Sequence, residues 1–341
     1  MTHDPRNHDS ISRRRFLKTG TLAAAGGLIG CASLAPSSFA AAADPAVSPT
    51  PAGPDSVLRI AHLTDIHVKP SAGAPDGMRS ALRHALARRP APNLIINGGD
   101  AIMDALRASF DYTREQWSLW KRILAEECPA TPVLNVIGNH DIWGWDKEKS
   151  GTTGSEPLWG KRWVLDVYER DTPWTSLDIG PWRIIALDST QPPSGELGYV
   201  PILDEPQFDW LQNTIAAVPP ERHILVVSHI PILSVCHFMF SLSDDRAAYE
   251  RTLKVLMHHD ARRLTALFEK HPNVRCCISG HIHLVDEVHY KGVVYYCNGA
   301  VCGKWWGGPW HNIPPGYAML TLHPDGRVER EYIEWGWSEA T

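Results

Sequence analysis

The chain has 341 residues, with 33 Lys plus Arg against 38 Asp plus Glu, 43% apolar and 21% charged. That composition fits a soluble globular protein with ample material for a core, and it excludes a disordered polymer, a collagen-like fibre and a multi-pass membrane protein. The net charge of −5 grows more negative beyond the first forty residues, whose five basic groups outnumber two acids. The body therefore lacks the basic footprint that gripping nucleic-acid phosphates requires, and no nucleic-acid partner is expected.

Ser12-Arg13-Arg14-Arg15-Phe16-Leu17-Lys18 precedes an apolar Gly- and Ala-rich run from Thr19 to Leu34. A charged region, a short apolar region and small residues in that order describe an export signal, not a structural helix. The paired arginines before Phe-Leu-Lys look like a twin-arginine signal, the kind read by the Tat machinery that exports folded proteins. The expectation is a signal peptide over residues 1–43 and a periplasmic or other extracytoplasmic destination. Two processing sites compete. Ser38-Phe39-Ala40 is a small-x-small cleavage signal, whereas Leu28-Ile29-Gly30-Cys31 resembles a lipobox that would leave a lipid anchor on Cys31. Residues 44–56, with four prolines between Asp44 and Pro54, read as an extended linker. Residues 57–341 read as one domain.

From Val57 onward, short β-branched runs alternate with helical patterns, the mark of a layered α/β domain. Strands are expected at 57–63, 93–96, 133–137, 175–179, 183–187, 223–227 and 274–278. Helices are expected at 78–89, 112–127, 207–218 and 262–270. A hairpin comes next, with its second strand at 293–297, and Pro324-Asp325-Gly326 marks another hairpin turn. Seven cysteines are too few to build a disulfide scaffold at this length. Cys297 with Cys302 is a candidate pair, and buried free thiols are the alternative.

The residues just beyond the strands carry the chemistry. The first strand leads to Asp65-Ile66-His67 and the second to Gly98-Gly99-Asp100. The third leads to Gly138-Asn139-His140-Asp141, a later one to His229-Ile230-Pro231, and the run at 274–278 to Gly280-His281-Ile282-His283. Five apolar runs thus deliver Asp, Asn and His at their C-terminal ends, the edge where open α/β sheets place their sites. In this order the motifs resemble the calcineurin-like metallophosphoesterase superfamily, over nearly the whole chain from Val57. The resemblance implies a four-layer sandwich of two mixed β-sheets flanked by helices, with a dimetal site at the strand ends. It further implies that Asp65, His67, Asp100 and His283 hold one metal ion, and that Asp100, Asn139, His229 and His281 hold the second. Asp100 would bridge. The mixed O/N donor set suits two divalent or trivalent ions, Fe, Mn or Zn, better than Ca. Such a pair activates a hydroxide for attack on phosphorus. His140 would face the leaving group as a proton donor, with Asp141 orienting its ring; capping of the adjoining turn is the other reading of Asp141.

Protein Ser/Thr phosphatases of the superfamily carry arginines beside these motifs, where this chain has Ile137 and Ala101-Ile102-Met103-Asp104. Purple acid phosphatases carry a tyrosine shortly after Gly-Asp, absent here. The pattern is closest to the bacterial cyclic-nucleotide and glycerophosphodiester phosphodiesterase branch, so a small-molecule phosphodiester is the expected substrate. A broad-range secreted phosphomonoesterase and a non-catalytic envelope-anchored binding module are the alternatives. The chain is rich in tryptophan, 14 in all. A Trp-rich insertion around 143–174 and the turn-rich stretch 303–316 place Trp143, Trp145, Trp305 and Trp306 as candidates for an aromatic rim on the substrate; packing of the insertion loops is the other reading. His62 reads as a core residue, and His258 and His259 as solvent-facing.

Overall fold

Strand alternation explains the layers: residues at odd and even positions of each strand bury against different neighbours. The computed structural model describes residues 53, 56–71, 73–194, 198–240 and 246–337. The twin-arginine segment, Cys31, and all of the Pro-rich linker except Gly53 and Ser56 lie outside the described residues.

In chain order the first half contains β1 (Leu58–Leu63), α1 (Ala74–Ala87), β2 (Leu94–Asn97), α2 (Phe110–Glu127), β3 (Val133–Asn135), α3 (Lys147–Ser150) and α4 (Lys161–Val167). Next come β4 (Thr175–Ile179), β5 (Trp182–Ala186), β6 (Thr190–Gln191), β7 (Val200–Pro201), α5 (Glu205–Ala216), β8 (His223–Val227), α6 (His237–Phe240), α7 (Arg246–Leu256) and α8 (Ala261–Phe268). The last part holds β9 (Val274–Ser279), β10 (Asp286–Tyr290), β11 (Val293–Cys297), β12 (Gly316–Leu322) and β13 (Val328–Glu334). One sheet runs β13-β12-β1-β2-β3 and the other β10-β11-β9-β8-β5-β4, with β6 and β7 pairing separately.

Along β1, Leu58 and Ile60 enter the core between the two sheets, and Ala61 and Leu63 turn to the helices. In the second sheet Ile184, Leu225, Val227, Cys276 and Ile278 face the first sheet, while Ile185, Ile224, Val226 and Cys277 pack on α5 and α8. The first sheet's outer face is covered by Met78, Ala81 and Ala85 of α1 and by Trp117, Trp120 and Ile123 of α2. The result is helix, sheet, sheet, helix, as the expected sandwich requires.

Several helix boundaries lie a few residues before their expected positions, for local reasons. Helix α1 begins at Ala74, not Met78, because Pro75 suits a first turn whose N–H groups have no intrahelical acceptor to lose. Ser109 caps α2 by accepting from the Tyr112 amide, and Asp204 caps α5 by accepting from the Gln207 amide. The six described cysteines are all free, so Cys297 and Cys302 are not bridged. Among the described residues no helix is long and apolar enough to cross a membrane.

Strands β1, β2 and β3 run parallel, as do β5, β8, β9 and β11, so the C-terminal ends of each set share an edge. The inter-sheet core fixes how far apart those edges lie. Ile184 is wholly buried there, and Ile184→Ala should cost about 2–5 kcal/mol. The check is a lowered urea midpoint at unchanged slope.

Candidate metal centre

Each ligand-bearing loop is pinned to its neighbour by backbone hydrogen bonds. The Asp65 amide donates to the Gly99 carbonyl at 3.0 Å and the His67 amide to the Asp100 carbonyl at 2.9 Å. Asp65, His67, Asp100, His281 and His283 all adopt left-handed backbone conformations, with φ between 48° and 71°. For residues with a Cβ this costs about 1–3 kcal/mol each, and it persists only where the surroundings enforce it. Two glycines make the close approach feasible. A Cβ on Gly138 would overlap the Asp100 backbone and carboxylate, and one on Gly280 would overlap the Asp65 carboxylate.

The seven candidate ligands converge. His67 Nε2 lies 3.2 Å from His283 Nε2, and His283 Nε2 lies 3.4 Å from Asp65 Oδ1. Asp100 Oδ2 sits 3.6 Å from His67 Nε2 on one side and 3.3 Å from His229 Nε2 on the other. His229 Nε2 is 3.3 Å from Asn139 Oδ1, and Asp100, His229 and His281 form one cluster with metal-ligand spacing. One oxygen of Asp100 thus faces two groups of donors. Its other oxygen accepts the His140 amide at 2.8 Å.

The protonation pattern fits a cation cage. His283 Nδ1 donates to the Gly303 carbonyl at 2.6 Å and His229 Nδ1 to the Gly98 carbonyl at 2.9 Å, leaving each Nε2 aimed into the cage. His281 uses Nε2 on the Val255 carbonyl at 2.9 Å, which frees Nδ1. Burial, then His140, lowers His67 to about 3; burial, then His229, lowers His281 to about 3, so both stay neutral. Burial disfavours charge on His229 too, but the Asp100 carboxylate overrides it and holds this imidazole up at about 9. Burial works against ionised Asp100, and His229 nevertheless keeps it well below the usual carboxylate range. Asp65 likewise raises His283 against its burial. Cations entering the cage would displace the protons these carboxylates favour on His229 and His283, and the carboxylates with imidazole nitrogens only 3.2 Å apart form a mixed O/N donor set suited to two transition-metal ions.

Residues 58–285 match the calcineurin-like phosphoesterase family. The chain belongs to that family. It is similar to the 3',5'-cyclic adenosine monophosphate phosphodiesterase CpdA of Pseudomonas aeruginosa, 27% identical over 297 residues that cover 83% of this chain and 91% of that one. It is also similar to a probable cyclic nucleotide phosphodiesterase of Synechococcus, 28% identical over 292 residues, covering 83% and 94%. Among solved structures, a dimetal phosphatase from Danio rerio superposes with a TM-score of 0.51 at 17% identity, covering 82% of this chain and 99% of that one. Purple acid phosphatase PPD1 from yellow lupin gives 0.54 at 15% identity, covering 84% of this chain and 53% of its own. These two show the shared fold. As a member of this dimetal-dependent family, the chain is a metal-dependent phosphoesterase.

Several expectations need correction. Of the two readings of Asp141, capping of the turn is the one its hydrogen bonds support; the His140 ring bonds elsewhere. The Asp141 carboxylate accepts from the amides of Gly138 (2.9 Å), Asp100 (3.0 Å), Ala101 (2.9 Å) and Ile102 (3.3 Å), tying two ligand loops together. The His140 ring is oriented instead by Nδ1 donating to the Met103 carbonyl at 2.6 Å. Trp143, Trp145 and Trp306 form no rim: they are 3%, 7% and 6% exposed and belong to the helix-side core. Of these four candidates, half-buried Trp305 is the one whose ring packs on a ligand imidazole, 4.7 Å from the His283 ring. His258 is buried, bridging Ser228 Oγ at 3.0 Å and Asp260 Oδ1 at 2.9 Å, whereas His259 is exposed as expected. His62 is a core residue held by Asn298.

The structure adds three neighbours with no motif of their own. Thr64 Oγ1 donates to Asp65 at 2.6 Å, Tyr199 Oη lies 3.4 Å from His281 Nε2, and Cys302 clusters with His67 and His283. Thr64 was readable as a hydroxyl beside a ligand carboxylate; Tyr199 left no local signal.

Burial, then the Asp100 carboxylate, pushes Asp141 up to about 8, but four amides donating to its two oxygens favour the ionised form, so its charge should matter to the whole cage. Asp141→Asn replaces an acceptor oxygen with an NH₂ group facing backbone N–H donors, at about 1.5–3 kcal/mol per lost charge-assisted bond. Metal content, read by elemental analysis, should fall together with unfolding stability. Full metal content with a loss of turnover alone would restore the ring-orienting role.

Proposed function

We propose that this chain is an exported phosphodiesterase for small phosphodiesters of the nucleotide type, cyclic nucleotides foremost, with Asp65, His67, Asp100, Asn139, His229, His281 and His283 as its metal ligands. The observation that carries the hydrolytic reading is the single Asp100 oxygen placed between two donor groups, with a half-exposed histidine beside them. A cation pair held there supplies Lewis acidity toward the phosphoryl group and activates water near neutral pH.

The protein's own groups do the rest. Asp65 and Asp100 bring the buried negative charge that would hold the cations. His140 packs edge-on against His67, ring centroids 4.7 Å apart. With Nδ1–H donated to the Met103 carbonyl, Nε2 is the free ring nitrogen, and in the imidazolium form it would carry the proton that passes to the departing alkoxide. Asp141 keeps the Asp100 and Asn139 loops in register, as the cage demands.

Preference for a diester is supported by the residues that flank the cage. Ile137, Ala101 and Ile102 are fully buried aliphatics, so no guanidinium fork stands at those positions to match the second charge of a monoester. The names of the two relatives point the same way. Export is supported by Arg13-Arg14 with Phe16-Leu17-Lys18; Arg13→Lys with Arg14→Lys should leave folded, metallated protein in the cytoplasm, and normal export of that variant would count against the Tat route.

Metal-loaded protein should turn over bis-p-nitrophenyl phosphate and cyclic AMP with a kcat/KM at least roughly tenfold above that for p-nitrophenyl phosphate, the reverse ranking indicating a monoesterase. His140→Ala should retain two metal ions per chain and lose about 100- to 10,000-fold in kcat. Asp100→Asn should weaken both metal positions together; loss of one ion alone would remove its bridging role.

A further inference from the structure

The aromatic rings do not stop at the cage. Trp305 lies 4.7 Å from His283 and 6.3 Å from His67, centroid to centroid. Trp310 comes next at 5.4 Å from Trp305, and Phe240 of α6 at 5.8 Å from Trp310. All three are half-buried, unlike the core tryptophans. The exposed Lys304 places its ammonium 5.9 Å from the Trp310 ring.

The loop carrying these rings is fastened to two of the candidate ligands. Trp306 Nε1 donates to the His67 carbonyl at 2.9 Å, and the Gly303 carbonyl accepts from His283 Nδ1 at 2.6 Å. Trp305 and Trp306 both take left-handed backbone conformations, φ 47° and 75°, as do His311 and Asn312, φ 45° and 64°. Such clusters of unfavourable backbone persist where the surroundings over-determine them. Here the buried Trp306 ring, packed on Trp335 and Trp337, is the anchor that turns the Trp305 ring toward the cage.

We propose that Trp305, backed by Trp310, is the stacking surface for a flat heteroaromatic ring on the phosphoester's organic group, so that the site prefers nucleotides over glycerol or alkyl phosphoesters. The inference deepens the phosphodiesterase reading and rests on it for the reaction, though not for binding. An indole face stacks on a base without reading its edge, so this surface favours bases as a class. It lies against His283, on one side of the cage, which leaves the phosphate on the ligands and the ring outside them.

The test compares adenosine 5'-monophosphate with ribose 5-phosphate, which keeps phosphate and sugar and lacks the base. Calorimetry on metal-loaded wild type should show roughly tenfold tighter binding of the nucleotide, a ratio that Trp305→Ala erases and Trp305→Phe largely keeps. Ribose 5-phosphate affinity and metal content should be unchanged in both variants. A wild-type ratio near one, a ratio intact in Trp305→Ala, or an equal loss for both ligands overturns the stacking role. Failure of the wild type to cleave any diester, with the nucleotide preference intact, would instead reject the phosphodiesterase reading and leave the stacking surface supported.

Discussion

A buried carboxylate cannot serve two groups of donors unless both sheets hold still around it. Asp100 stands in that position: its Oδ2 faces His67 from the same sheet's edge and His229 from the other sheet. Asp65, His67, Asp100 and Asn139 come after β1, β2 and β3, whereas His229, His281 and His283 come after β8 and β9. No local segment contains a whole cage. The spacing between the two edges is set by the layer of Leu58, Ile60, Leu94, Ile96, Ile184, Leu225 and Val227 packed between the sheets. Close-packed interiors deform little, so this core is as much a part of the metal centre as the ligands are.

The strand-and-ligand plan was legible because it is written in local patterns. Short apolar runs ending in Gly-Asp, Gly-Asn-His or Gly-His-x-His state both the strand and the side chain that leaves its end, and the glycines before Asn139 and His281 stand where any Cβ would collide with a neighbouring ligand. Orientation was not legible. The ring of His140 is set by the carbonyl of Met103, 37 residues away in sequence, and a carbonyl carries no residue identity to read. Asp141 adjoins His140, which suggested ring contact as well as capping; the tight turn at 139–141 directs its carboxylate back to four amides, so the capping reading holds. The left-handed backbone at five of the ligands has no composition signature either, since none of them is glycine.

Tryptophan shows the same limit. Position in a loop beside the motifs did not separate a ring that faces ligand from one that plugs the core. Trp143 packs against Phe110 and Trp163, and Trp306 against Trp335 and Trp337. These buried rings are the ballast that stiffens the loops around the cage. Trp305 is placed by its neighbour's anchorage and not by its own burial. The 303–312 loop therefore joins two tasks: it braces His67 and His283 through side chain–backbone hydrogen bonds, and it carries the half-buried aromatic face beside them.

Anomalous diffraction from crystals of metal-loaded protein tests the central claim most directly. Two metal peaks about 3.5–4 Å apart are expected, one within bonding distance of Asp65, His67 and His283, the other of Asn139, His229 and His281, and both of Asp100. A single peak, or two peaks that do not share Asp100, would contradict the dinuclear cage and the phosphodiesterase reading built on it.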